Sequence, residues 1–190
     1  MDSRRSVGSR WLRRATAATS ILVLAACAGK GGSGTRVTDD RAGLSYELPS
    51  GWEEKPRGDL IEFFTSSSGL ETENSNGAIL GLGPVAGLFA EEAPDLGSMA
   101  DSVSIGFAEF FVPFEGERDK VTDEAMRVGD RDAHRVGYRI TPDIEPEAVV
   151  EAVVVDLEDG PAFAVGVVSP SDDDLERQLS GALGSLAPVE

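Results

Sequence analysis

Residues 148–169 read AVVEAVVVDLEDGPAFAVGVVS, two valine-rich runs separated by a short acidic turn. Each run has the length of a strand and is apolar at both parities, so neither of its faces meets water. Ala148–Val155 and Ala162–Val168 are therefore predicted to be neighbouring central strands of a sheet, turning at Asp159-Gly160. Two further strands precede them in meander order, near Val121–Val128 and His134–Ile140, with Gly129-Asp130 as the turn between them.

Upstream, Leu96, Met99, Ala100, Val103, Phe107 and Phe110 recur at steps of three or four, which predicts a helix of about four turns. Downstream, Leu175, Leu179, Leu183 and Leu186 form the stripe of a closing helix. Its start is expected at Ser169-Pro170-Ser171-Asp172, with a capping hydroxyl, a first-turn proline and acids. Nearer the N-terminus Leu44, Tyr46 and Leu48 alternate up to the turn Pro49-Ser50-Gly51, and Trp52 follows as a core anchor. Strands are expected at Leu60–Thr65 and Ala78–Gly83, and the polar run Ser66–Asn76 reads as an exposed loop. The fold class is α+β, a largely antiparallel sheet flanked by two main helices.

The first residues speak about location. Arg4, Arg5, Arg10, Arg13 and Arg14 precede an uncharged stretch, Ala15–Ala26, in the manner of a secretory signal. As a helix that stretch reaches only about 18 Å, short of the roughly 30 Å hydrocarbon core, so it is not built to span. Arg4-Arg5 lacks the hydrophobic continuation of a twin-arginine signal and reads as a plain basic leader. Leu24-Ala25-Ala26-Cys27 looks like a bacterial lipobox, in which a diacylglycerol joins the cysteine sulfur before cleavage exposes that cysteine. The expected organisation is a signal over 1–26, a lipidated Cys27 with a Gly/Ser-rich tether over 27–40, and one globular domain over 41–190. Two or three acyl chains would hold such a protein on the outer face of the membrane.

Composition excludes several functions. The chain of 190 residues carries 34 Asp+Glu against 17 Lys+Arg, a net charge of −17, so a phosphate backbone is not its partner. An anionic body is also repelled by anionic lipid head groups. One cysteine excludes an internal disulfide, and one histidine excludes a multi-histidine metal site. No cofactor, metal or catalytic residue is expected, and the domain is expected to be monomeric.

Four groups of residues are candidates for function. His134 shares parity with Val136, Tyr138 and Ile140 and is expected to be a partly buried histidine with a hydrogen-bond partner. Arg131, Arg135 and Arg139 lie on the opposite face, spaced about 13 Å apart. They are candidate anion contacts, or else cross-strand partners of acids such as Glu147 and Glu151. Phe107, Phe110, Phe111 and Phe114 crowd the end of the first helix. Phe107 and Phe110 fit the core stripe, whereas Phe111 and Phe114 lie off it and form either an exposed binding patch or a cap folded onto the core. Asp172, Asp173, Asp174 and Glu176 lack the spacing of a calcium loop and complement a helix dipole instead.

The run from Gly43 to Trp52, GLSYELPSGW, the run from Gly129 to Tyr138, GDRDAHRVGY, and the terminal leucine-rich helix ending Gly184-Ser185-Leu186 occur in an order that resembles the Mog1/PsbP-like fold, as found in LpqN-type lipoproteins of actinobacteria. That resemblance spans most of Arg41–Pro188 and implies an α/β/α sandwich. It also implies a non-catalytic module that binds or assembles other proteins of the cell envelope, and it transfers no catalytic residue. Two other readings stay open. A lipid or glycolipid carrier requires a cavity under the helix faces, lined by Gly81 and Gly83; a carboxylate-based hydrolase requires acids that converge in space.

Overall fold

The computed structural model describes residues 35–56, 62–72, 77–86, 88, 95–113 and 115–189. The chain divides into Met1–Gly32 and Ser33–Glu190, and only the second unit falls within these residues. The signal, Cys27 and Phe114 lie outside them.

The elements in chain order are β1 (Arg36–Asp39), β2 (Leu44–Glu47), β3 (Glu53–Lys55), β4 (Ser66–Glu71), β5 (Gly77–Pro84), α1 (Leu96–Phe111), β6 (Gly116–Val128), β7 (Arg131–Pro142), β8 (Ala148–Val155), β9 (Ala162–Ser169), α2 (Asp173–Gly184) and β10 (Ala187–Pro188). Seven strands form the main sheet in the order β3-β4-β5-β9-β8-β7-β6, and each neighbouring pair is antiparallel. As their composition requires, β8 and β9 lie inside the sheet, and β8 is buried along its whole length.

Each face of the sheet has its own core. On one, α1 covers Val136, Ile140, Val150, Val154, Phe163 and Val165. On the other, α2 and the small sheet β1-β2-β10 cover Leu80, Leu82, Val153, Val155 and Ala164. The α/β/α sandwich expected from the sequence is the one observed. Glycines let the layers approach. A Cβ on Gly166 would lie 2.1 Å from a Leu179 methyl of α2, and one on Gly81 would lie 2.4 Å from the Phe64 ring beneath α1.

Several sequence expectations are corrected. The domain does not begin at Arg41: β1 falls within the span assigned to the tether, and Val37 and Asp39 are buried. The Asp39 carboxylate tolerates burial because the amides of Arg41 (3.0 Å) and Ala42 (3.1 Å) and the Thr65 hydroxyl (2.5 Å) all donate to it. Of the strand expected at Leu60–Thr65, residues 60–61 lie outside the described residues and 62–65 are not in a strand; β4 starts at Ser66, in the run read as a loop. Ser67, Ser68 and Gly69 of β4 are buried, and Ser68 accepts a 2.7 Å hydrogen bond from the Tyr46 hydroxyl. Small polar residues can occupy a strand when their hydroxyls find partners there. The closing helix is capped by Asp172, whose carboxylate accepts from the Asp174 and Leu175 amides at 3.0 Å, so Pro170 precedes the helix.

Candidate functional site

β7 sets Arg131, Arg135 and Arg139 on the α2 face, as the parity requires, and each meets a carboxylate of this chain. Arg135 forms a bidentate pair with Glu151 of β8 (2.8 and 2.7 Å) and also donates to the Ser180 hydroxyl of α2 (2.8 Å). Both partners are mostly covered, at 14% and 12% side-chain exposure. Arg139 reaches Glu147 and, at 3.0 Å, Glu176 of α2, and Arg131 reaches Glu158 at 2.6 Å. The hydrogen bond to Glu147 raises the Arg139 pKa, as that to Glu158 raises the Arg131 pKa. These cations are cross-strand and helix-docking partners, and their charge is already answered within the chain.

His134 lies on the α1 face with its ring against Gly97, in the first turn of the helix. Its Nε2 is 2.7 Å from Oδ1 of Asp123 on β6, the partner the sequence called for. The contacts continue beyond what the sequence showed. Lys120 donates to Asp123 at 3.1 Å and to Asp101 of α1 at 2.6 Å, and the Tyr138 hydroxyl donates to Asp101 at 2.7 Å. The His134 hydrogen bond holds the Asp123 carboxyl below its ordinary range, and Lys120 is raised by its bond to Asp101. Burial pushes Asp101 up, but bonds from Lys120 and Tyr138 outweigh it and leave that carboxyl lowered. This network ties α1 to the edge of the sheet. It was invisible in sequence because Asp101 and Lys120 sit on elements that meet only after α1 crosses the sheet.

At the start of α2, Asp172 caps the helix, Asp174 pairs with Arg177, and Glu176 pairs with Arg139. Among the described residues no group of three or more His, Cys, Asp or Glu side chains is placed to hold a metal ion.

The phenylalanines divide differently from the reading of the stripe. Phe107 is buried, stacked on Phe64 with ring centres 5.2 Å apart and tilted against Phe163 at 5.5 Å. Phe111, expected off the stripe, packs against Phe107 and the core, whereas Phe110, expected in the core, is 59% exposed. The buried face of the helix is Ala100, Val103, Ser104, Phe107 and Ala108, so the small residues Ser104 and Ala108 lie where the stripe had placed Phe110. Phe110 and the 48% exposed Phe63, with Leu88, Ser102, Val103, Gly106 and Phe107, line an open apolar groove of about 230 Å³. Phe63 escaped the sequence reading because it fell inside a run taken for a strand.

Among the described residues the space over Gly81 and Gly83 is filled and leaves no lipid cavity there. The Phe64 ring occupies the space over Gly81, and the Phe63 carbonyl and Phe163 ring occupy that over Gly83.

Geometry defines a PsbP-like α/β/α module. The solution structure of cyanobacterial PsbP (CyanoP) from Synechocystis matches it with a TM-score of 0.56 at 16% identity, over 87% of this chain and 98% of that one. Two crystal structures match less well. One, from Bacteroides thetaiotaomicron, has a TM-score of 0.43 at 11% identity, over 83% of this chain and 49% of that one. The other, a protein of unknown function from Pseudomonas aeruginosa, has a TM-score of 0.40 at 12% identity, over 84% of this chain and 99% of that one. None of the curated protein sequences matches this chain. The sequence pattern of the fibronectin-attachment protein (FAP) domain matches residues 36–162, and the chain belongs to that family. The match starts at the first residue of β1, in accord with the corrected domain boundary.

Proposed function

We propose that the chain is a non-catalytic attachment module, fixed to the outer face of a bacterial membrane by a lipid on Cys27, that binds a protein through the face bearing α1. The observation that carries this reading is the contrast between its polar and apolar side chains. The charged candidates are matched within the chain, whereas Phe63 and Phe110 stand exposed beside an open groove. Unsatisfied apolar surface of this kind is what a binding partner covers. The family's name makes fibronectin the first partner to test. The finer resemblance to LpqN-type lipoproteins fits the lipobox and an envelope location. A carrier of envelope lipids fits less well, because aromatic rings fill the space beside Gly81 and Gly83.

The test is interferometry of the purified full chain on immobilised fibronectin. Saturable binding, weakened about tenfold or more by Phe110→Ser, is expected. The absence of any saturable signal from the wild-type chain would remove fibronectin as the partner.

A further inference from the structure

Gly106 lies in the middle of α1, where glycine is among the worst helix formers. A strained backbone or a crowded neighbour is the usual reason for it. At Gly97 in the same helix the reason is visible, since a Cβ there would come within 3.2 Å of the His134 ring. At Gly106 the backbone is helical, and among the described residues nothing lies within 4 Å of the position a Cβ would take. Gly181 and Gly184 of α2 are open in the same way, so openness alone decides nothing. At Gly106 it coincides with an apolar floor and two exposed rings.

The position lies along the wall of the groove, one helical turn before Phe110 and one after Ser102, so any larger side chain there would project into it. Beneath, Phe107 is locked between Phe64, Phe163 and Phe111, and Phe110 meets Phe111 edge-on at 5.2 Å. The surface is therefore formed before any partner arrives, which lowers the entropic cost of binding. Exposed Glu62 and Glu109 adjoin Phe63 and Phe110 in sequence, no basic residue is among the described residues that line the groove, and the chain carries −17 overall.

Resting on the reading of the domain as a protein-binding module, we infer that the Phe63–Gly106–Phe110 groove docks a short apolar segment of a partner protein that is flanked by lysine or arginine, with Gly106 kept bare to admit it. The acidic surroundings select the basic flanks and disfavour an anionic lipid surface. A volume of about 230 Å³ suits one or two anchoring side chains and lies below the usual range of small-molecule sites.

The experiment titrates the ¹⁵N-labelled full chain with two synthetic peptides that share leucine and phenylalanine anchors, one flanked by lysines and the other by glutamates. The lysine-flanked peptide is expected to bind about tenfold more tightly, with amide shifts centred on Ser102, Gly106 and Phe110. Gly106→Leu should weaken it about tenfold. Gly106→Ala should raise the melting temperature by about 2–4 °C, which separates a functional glycine from a structural one. Equal affinity for the two peptides, shifts elsewhere, indifference to Gly106→Leu, or a lower melting temperature for Gly106→Ala would each overturn the inference. So would protection of the same amides by phosphatidylglycerol vesicles in place of the peptide. Fibronectin binding that ignores Gly106→Leu overturns the groove and leaves the attachment reading standing. Lysine-peptide binding without fibronectin binding supports the groove and removes fibronectin.

Discussion

Glu151 lies in the middle of β8, among valines, where an unpaired carboxylate would be costly. Arg135 reaches across from β7 with two hydrogen bonds and a third to Ser180, so one guanidinium joins two strands and a helix. Glu151→Gln removes the charge and leaves a largely covered guanidinium behind, an expected loss of about 3 kcal/mol measured by urea unfolding. Ser104 makes the opposite case, because its buried hydroxyl has no hydrogen-bond partner among the described residues. Ser104→Ala is expected to stabilise the domain by about 1 kcal/mol in the same measurement. Parity along β7 was enough to place the arginines opposite His134, and Glu147 and Glu151 were legible as their partners from the adjoining strand. The contacts to Glu176 and Ser180 were not, since they depend on where α2 crosses the sheet.

At the scale of elements, α1 is held by two devices. The first is close approach over Gly81, whose missing side chain admits the Phe64 ring. Gly81→Val is expected to destabilise the domain by about 2 kcal/mol through overpacking, visible as a lower melting temperature. The second is the chain of Asp101, Lys120, Asp123 and His134. Bonds from Lys120 and Tyr138 hold the Asp101 carboxyl, and bonds from His134 and Lys120 the Asp123 carboxyl, below the ordinary aspartate value of 3.8 in the folded protein. What they contribute is complete above that value and is lost as the pH falls through the lowered folded values. The urea midpoint should therefore fall below about pH 4, and less steeply in Asp123→Asn. A midpoint that falls equally in both proteins would show that this carboxylate is not coupled to folding. The same helix marks where periodicity stops being informative. Three-four spacing located α1 correctly, but its buried face includes the small residues Ser104 and Ala108, which carry little hydrophobic signal, in place of Phe110. β4 was missed for a related reason, as Ser67 and Ser68 are buried beside β5, Ser68 with a hydrogen bond from Tyr46, and leave no apolar pattern to read.

At the scale of the molecule, the central meander was plain in the sequence because two strands apolar on both faces admit few arrangements, and the sandwich was what the family resemblance implied. The groove was only half legible. Phe110 and Phe111 were flagged, but Phe63 comes from a segment distant in sequence and reaches the same surface only in the folded chain. Function at this scale depends on placement. A module with one adhesive face is effective when its body is held outside the membrane with that face free, and the acidic surface and Gly/Ser-rich segment after Cys27 suit that placement. The direct test is the intact mass and terminal sequence of the chain recovered from membranes of a bacterium expressing it. The account predicts a polypeptide that starts at Cys27 and carries a diacylglycerol, absent when Cys27→Ser is expressed. Recovery of the chain from the culture medium with an unmodified thiol at Cys27, or with its leader intact, would contradict it.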